Sequence, residues 1–451
     1  MDKGGFMYHI LCILIGKVIV LAGKILKRGS SLPGMIVLKL DKNILNHFKL
    51  PKLVIAVTGS SGKGSISSLI AKTLEDQNYT VAHNKVGSNL TPGITTLLLE
   101  HATLSGKIKA DALVYEIDER YTKHVFGSIT PNYVVISNIS RDQPPRQGHF
   151  DLVFEEIKKA LTPSMHLILN ADDPYLQKFA IPHKGPITYY SVAKNKYSYT
   201  KNKFTNLNLN YCPKCNSKLE YQYYNFENIG DYHCTSCQFG TPVSNTNVTK
   251  IDYTNATIVI DDTYQIDLPY TILYDIYNTL AAFTITSLTG LQKDKICETL
   301  SHIHKNQKLF DIFEINDRVV TVLNNKNENS STFNQSLLYI SRFKEEKTVV
   351  IGWKEISRRY DFDDLSWLYD IDFELLKRLN VHKFICVGIH RYDIATRLKY
   401  ASIDEKSIVV FDELKESTSY IKQKTKGNIY AILNFDYVEP FKQEMKESDA
   451  S

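Results

Sequence analysis

Apolar and polar positions alternate in two rhythms along most of the chain. Short apolar runs closed by glycine or polar residues predict buried strands at Leu53–Val57, Ala112–Tyr115, Tyr133–Ile136 and His166–Leu169. Between them the spacing becomes helical. Ile66, Leu69, Ile70, Thr73 and Leu74 share one face, and a helix is predicted over Asp151–Leu161. Strands alternating with helices predict a parallel α/β sheet. From about Phe310 a second series begins, with strands predicted at Val319–Leu323, Thr348–Ile351, Phe384–Val387, Ile408–Phe411 and Tyr430–Leu433. It is long enough to build its own core. The expected division is residues 1–50 as a helix and lead-in, 51–305 as a first α/β domain with an insert at about 208–242, and 306–451 as a second.

One longer apolar stretch, Met7–Leu26, is interrupted by His9, Lys17 and Lys24. A span needs about 20 mostly apolar residues, and no small-residue cleavage site follows. The stretch predicts a helix packed on the body of the protein, with no transmembrane segment. Contact with a membrane surface is the alternative.

Composition narrows this only slightly. With 451 residues, 43% hydrophobic and 23% charged, the chain is an ordinary globular one. A net charge of +5 tolerates anionic ligands but does not argue for a nucleic-acid partner. Four of the seven cysteines are clustered; Cys12, Cys297 and Cys386 lie scattered in apolar surroundings, a reducing-compartment pattern that predicts a cytoplasmic protein.

Chemistry is concentrated after the first strand, in Thr58-Gly59-Ser60-Ser61-Gly62-Lys63-Gly64-Ser65. A glycine turn between strand and helix lets backbone N–H groups face a phosphate, and the helix N-terminus adds partial positive charge. Lys63 would reach the outer phosphates, and Ser65 a phosphate or Mg²⁺. Two positions depart from the general P-loop pattern: Val57 stands where a glycine is usual, and Gly64 separates Lys63 from Ser65. Glu116, at the end of a strand beside this turn, is placed to hold Mg²⁺. The polar loop Gly87–Gly93 is expected near the nucleotide. Cys212, Cys215, Cys234 and Cys237 are spaced C-x₂-C-x₁₈-C-x₂-C, which suits a closed, structural four-thiolate zinc ribbon.

Four motifs in order, Thr58-Gly59-x-x-Gly62-Lys63, Tyr115-Glu116-Ile117-Asp118-Glu119, Ser137-Asn138-x-x-Arg141-Asp142-Gln143 and Leu169-Asn170-Ala171-Asp172-Asp173-Pro174, resemble the Mur ligase superfamily. More narrowly they resemble its MurT family, the ligase subunits of lipid II isoglutaminyl synthases, from about Lys24 to Tyr430. The resemblance implies a Mur ligase-type parallel-sheet ATPase domain with an inserted zinc ribbon, then a Rossmann-like α/β domain. It implies ATP bound by Thr58–Ser65, Asn170, Asp172 and Asn278, with Lys63, Glu116 and Asp364 as catalytic residues. The implied reaction amidates the D-glutamate α-carboxylate of lipid II, through an acyl phosphate, at the inner face of the membrane. Ammonia would come from a partner glutaminase of the class I, GatD-like type, since this chain has no Cys-Gly-Gly nucleophile turn.

The match has gaps. Ser60-Ser61-Gly62-Lys63-Gly64 stands where the family has Thr-Asn-Gly-Lys-Thr. Lys308-Leu-Phe-Asp-Ile-Phe replaces a Phe-Gly-Arg motif, and Asn327–Gln335 replaces Asn-Pro-Ala-Gly-Phe-Asn-Gln. Two alternatives therefore stand beside the leading one: an amino-acid ligase like folylpolyglutamate synthase, whose loop Gly62-Lys63-Gly64-Ser65 matches best, or a catalytically impaired ATP-binding scaffold subunit. The acids Asp370, Asp372 and Glu374 are expected to cap helices and to pair with arginines on the surface.

Overall fold

A computed structural model describes residues 3–25, 30–84, 88–140, 150–205, 210–305, 310–325, 330–353 and 365–447. Asp364, Gly87 and Arg141–Gln143 lie outside the described residues. The chain forms two compact units, the first built from 1–139, 151–200 and 209–306, the second from 140–150, 201–208 and 307–451.

In the first unit, helices α1 (Lys3–Ile25) and α2 (Leu32–Leu40) precede an alternating series. This runs β1 (Leu53–Thr58), α3 (Lys63–Asp76), β2 (Val81–His83), α4 (Thr91–His101), β3 (Ala112–Glu116), a short α5 (Thr122–Val125), β4 (Tyr133–Ile136), α6 (Phe150–Ala160), β5 (His166–Asn170), a short α7 (Gln177–Ala180) and β6 (Ile187–Val192). The hairpin β7 (Leu219–Phe226) and β8 (Ile229–Cys234) follows, then β9 (Thr246–Asp252), β10 (Thr257–Ile260) and β11 (Tyr264–Asp267). Helices α8 (Leu273–Leu288) and α9 (Lys293–Lys305) close the unit.

The four expected strands are there, side by side and parallel, in a nine-stranded sheet ordered β11-β10-β9-β6-β5-β4-β1-β3-β2. Their apolar runs read continuously because both faces are covered; Val54, Ile55, Ala56 and Val57 are all buried. The sheet is not parallel throughout. β10 pairs antiparallel with both β9 and β11. The cause is local: Asp252 Oδ1 accepts from the N–H groups of Thr254 and Asn255, and Ala256, Asp261 and Asp262 have positive φ. Turns this tight return the chain beside itself, whereas a parallel crossover needs a dozen or more residues.

Helix α8 packs on α3, β5 and β6, and most of its residues are buried. Its threonines bury without cost in unmet hydrogen bonds, since Thr284 and Thr286 donate to the carbonyls of Leu280 and Ala282, both at 2.7 Å. The scattered cysteines, Cys12, Cys297 and Cys386, are buried free thiols, and burial pushes Cys297 up to about 12.

The second unit has a six-stranded sheet. Its elements are β12 (Phe310–Ile315), β13 (Arg318–Asn325), α10 (Ser330–Ile340), β14 (Lys347–Trp353), β15 (Val381–Gly388), α11 (Arg391–Tyr400), β16 (Ile408–Phe411), α12 (Leu414–Lys424), β17 (Asn428–Asn434) and α13 (Phe435–Lys446). The order is β12-β13-β17-β14-β15-β16, parallel except for β12. Asp372 is buried and its Oδ1 accepts from the N–H and hydroxyl of Thr205, while Glu374 pairs with Arg397 at 3.0 Å. Asp372 makes no side-chain cap and Arg397 is buried, so these two acids serve interior contacts in place of the expected helix caps and surface pairs.

Candidate functional site

The site gathers at the carboxyl ends of three adjacent parallel strands, β4, β1 and β3. Val57 lies opposite Glu116 and Thr58 opposite Ile136, so the turn after β1 is flanked by the ends of its neighbours. Two glycines make that turn possible. Gly59 has φ +121°, and a Cβ there would lie 2.4 Å from Ser137 Oγ; Gly62 has φ +81°, and a Cβ there would lie 2.5 Å from Asn278 Oδ1.

Ser137 and Asn138 brace the loop. The Ser60 N–H donates to the Asn138 carbonyl at 2.9 Å, the Ser61 N–H to Asn138 Oδ1 at 3.0 Å, and Ser137 Oγ to the Ser61 carbonyl at 2.6 Å. The N–H groups of Ser60 and Ser61 therefore frame the cradle and do not themselves point into it. Helix α3 begins at Lys63 without a side-chain cap, leaving its first-turn N–H groups to a ligand, with Gly64 and Ser65 exposed there.

Lys63 folds back over the loop. Its Nζ donates to the carbonyls of Gly59 and Ser60 and lies 2.8 Å from Glu119 Oε1, with Glu119 fully buried. Glu119 is a residue that sequence reasoning passed over in favour of Glu116. Glu116 sits across the loop: Asn89 Nδ2 donates to its Oε1 at 3.0 Å, and Asn84 clamps its backbone N–H and C=O, both at 2.8 Å. A Cβ on Gly64 would come within 3.0 Å of Glu116 Oε2. The small residue after Lys63 thus makes room for this carboxylate.

Two buried polar atoms at the loop, Thr58 Oγ1 and Asn278 Nδ2, have no hydrogen-bond partner among the described residues. Groups left so in a native site are fitted to a ligand more often than wasted. A phosphate-bearing nucleotide fits this set: a glycine cradle, an uncapped helix N-terminus, a lysine, and an amide awaiting an acceptor. Glu116 offers a carboxylate beside this loop, the donor type a divalent cation takes, and Ser65 is exposed in the first turn of α3.

Asn170 and Asp172 stand at the end of β5, each with one side-chain oxygen engaged internally. Asn170 Oδ1 accepts from the Asp172 N–H, and Asp172 Oδ2 from the Val192 N–H at 2.7 Å and Tyr277 OH at 2.6 Å. Burial pushes the Asp172 carboxyl up to about 7. Its folded value lies above its ordinary one, so its contribution to stability is complete below about 4 and lost as pH rises through about 7. Asp172→Asn is expected to flatten the fall in melting temperature between pH 5 and 8 by a few degrees, measured by calorimetry on both proteins. Superimposable pH profiles would show that Asp172 is not the titrating group.

The four ribbon cysteines converge. Sγ atoms of Cys212 and Cys237 are 3.7 Å apart, those of Cys215 and Cys234 3.4 Å, and all four lie within 4.8 Å of one another. Thiolates about 2.3 Å from a tetrahedral zinc stand about 3.8 Å apart, so the set fits that ion. The N–H groups of Lys214 and Ser236 donate to Cys212 and Cys234 sulfur, both at 3.4 Å. Hydrogen bonds from the backbone and side chain of Ser217 draw the Cys215 thiol down to about 6.

Comparison with known proteins gives the following. Residues 57–286, just over half of the chain, match the family model of the Mur ligase middle domain, and 327–437 match that of the MurT ligase C-terminal domain. The chain is similar to the lipid II isoglutaminyl synthase (glutamine-hydrolyzing) subunit MurT of Staphylococcus aureus (strain COL), with 29% identity covering 94% of each chain. Among solved structures it is similar to a pseudomurein peptide ligase type C from Methanothermus fervidus, with TM-score 0.65, 19% identity, and coverage of 90% of this chain and 80% of that one. It is also similar to MurF ligase from Thermotoga maritima in complex with ADP, with TM-score 0.57, 16% identity, and coverage of 92% and 84%.

Proposed function

The chain belongs to the Mur ligase superfamily and carries its MurT-type C-terminal domain, and from this premise we propose that it is the ATP-dependent ligase subunit of a lipid II isoglutaminyl synthase. The observation that carries the reading is the braced Lys63 loop between Glu116 and Asn278, in a chain similar to a MurT subunit over 94% of its length.

In the proposed reaction, an oxygen of the D-glutamate α-carboxylate attacks the γ-phosphorus of ATP and ADP leaves. Ammonia then attacks the carbon of the acyl phosphate, phosphate departs with the C–O bond, and the nitrogen loses a proton to give the amide. Lys63 shifts from the loop carbonyls to the transferring phosphoryl group, and the first turn of α3 neutralises the remaining charge. Asn278 Nδ2 donates to the nucleotide. Asn170 and Asp172 act through the strand end they stabilise. Mg²⁺, held when bound by Glu116 and Ser65, supplies further charge neutralisation at the phosphates. Asp364 keeps the catalytic assignment that the family resemblance implies.

Ammonia is mostly ammonium at neutral pH and then has no lone pair to attack with, so a partner that delivers ammonia directly would raise the rate. We assign that part to a class I, GatD-like glutaminase, and place the complex at the cytoplasmic face of the membrane, where lipid II is reached. The test co-expresses the chain with a glutaminase encoded beside it and weighs the product formed from lipid II, ATP and glutamine. Exchange of one hydroxyl for an amino group is expected, and glutamine-dependent turnover should far exceed turnover on ammonium alone. A product heavier by one amino-acid residue, with no complex formed, would replace this reading with the amino-acid ligase.

A further inference from the structure

Helix α1 is apolar over most of its surface, and among the described residues its neighbours cover one side of it. Cys12, Ile13, Gly16 and Val20 are buried where α1 packs against α2 and α4. On the opposite side Met7, Leu11, Leu14, Val18, Leu21 and Ile25 are 44–75% exposed. Their spacing of three and four residues makes one stripe along the helix. Helix α2, packed alongside, adds Leu32, Met35 and Leu40, also exposed. Single exposed apolar residues are ordinary, but a continuous series of this length marks a contact surface.

Charge identifies the occupant. Between Lys3 and Leu40 the sequence contains Lys3, Lys17, Lys24, Lys27, Arg28 and Lys39, and no aspartate or glutamate; Lys17 is turned onto α4, whereas Lys24, 3.7 Å from Glu100, and Lys39 are exposed. A broad apolar face on two helices that carry basic residues and no acids of their own is the composition of a segment lying in a membrane interface, where anionic headgroups attract the cations.

By length and composition, Met7–Ile25 could also cross a bilayer. Its tethers argue for lying flat. Lys17 Nζ donates to the carbonyls of Leu99 and Ala102 at the end of α4, at 2.9 and 2.6 Å. Tyr8 OH donates to the Leu40 carbonyl at 2.7 Å, and His9 Nδ1 lies 2.6 Å from Asp41 Oδ2. A spanning helix would give up all of these and strip the covered side from α4.

We infer that the α1–α2 face docks the protein, in plane, on an anionic membrane surface. The inference rests on the proposed lipid-linked substrate for its purpose, and on the stripe and its charge for its location. The test floats the full chain with vesicles of phosphatidylglycerol and phosphatidylcholine, and with phosphatidylcholine alone. Flotation is expected with the anionic vesicles, weakened by salt, and little without them. The Val18→Glu, Leu21→Glu double variant alters only exposed positions. It should bind the anionic vesicles about tenfold less, with unchanged melting temperature and ATP affinity. Three results would overturn the inference: no flotation of the wild type, equal flotation of the variant, or a self-dimer or glutaminase complex that the variant abolishes. Amidation of a water-soluble stem-peptide substrate separates the two proposals. Soluble amidation without flotation rejects the docking face alone; flotation without any amidation rejects the proposed reaction and leaves the docking face standing.

Discussion

Lys63→Ala is expected to lower ligation by about 10³-fold, the order seen when one preorganised charge-stabilising donor is removed from a transition state. The side chain does two things in this fold. It ties the loop by donating to the Gly59 and Ser60 carbonyls, and it forms an ion pair with fully buried Glu119. The alanine variant therefore leaves a buried carboxylate short of its cation, which costs on the order of 3 kcal/mol of stability. Glu119→Gln on the same background removes that carboxylate. The double variant should regain most of the lost stability and stay inactive. Phosphate release, ATP calorimetry and urea melts on the two variants separate the catalytic effect from the structural one. Ligation within a fewfold of wild type in Lys63→Ala would remove the loop from the mechanism.

Cys234→Ser is expected to take bound zinc from about one per chain to near zero. At its cysteine end the ribbon has a small core, while its other end is tied to the sheet through Asn225, whose Nδ2 donates to the Val192 carbonyl at 2.8 Å, and through buried Phe226. Its buried cluster consists of Cys212, Leu219, Tyr232 and Cys234, with Tyr221, Cys237 and Phe239 packed partly against it. A lone two-stranded hairpin is marginal in water, and structural zinc contributes about 10–16 kcal/mol in comparable small modules. Loss of the metal should lower hydrogen-exchange protection in β7 and β8, most of all at the cysteine end around Leu219 and Cys234. It should also reach the sheet, because Tyr232 OH donates to the Ala171 carbonyl at 3.0 Å and the Gly230 N–H to that of Asp172 at 2.9 Å. Metal analysis and hydrogen exchange on both proteins test this. A metal-free variant with unchanged protection would show that the cysteines do not hold the hairpin.

Much of this could be read without coordinates, for a physical reason. A buried parallel strand must be apolar on both faces, so Leu53–Val57 and Ala112–Tyr115 announce themselves as continuous runs. A glycine-rich turn between strand and helix does few other things. Four cysteines in two C-x₂-C pairs match the local spacing a tetrahedral metal site demands. The hairpins β9–β10–β11 went unread because their signals, Asp252 and the Asp261-Asp262 turn, are short polar features in a stretch without a clean rhythm.

The sequence by itself determined the two α/β units, the position of the phosphate loop, the candidate zinc ribbon and the apolar first helix, since each is encoded in residues close together in the chain. Which carboxylate meets Lys63 was decided only by the tertiary structure. Glu116 and Glu119 are three residues apart in one motif, and only the turn after β3 sends the first towards Gly64 and the second under the lysine. The bracing of the loop by Asn138, and the closing of Asn278 onto Gly62, join residues roughly 80 and 200 positions apart. Pairings at that range follow from strand order and helix packing, and no local pattern carries them.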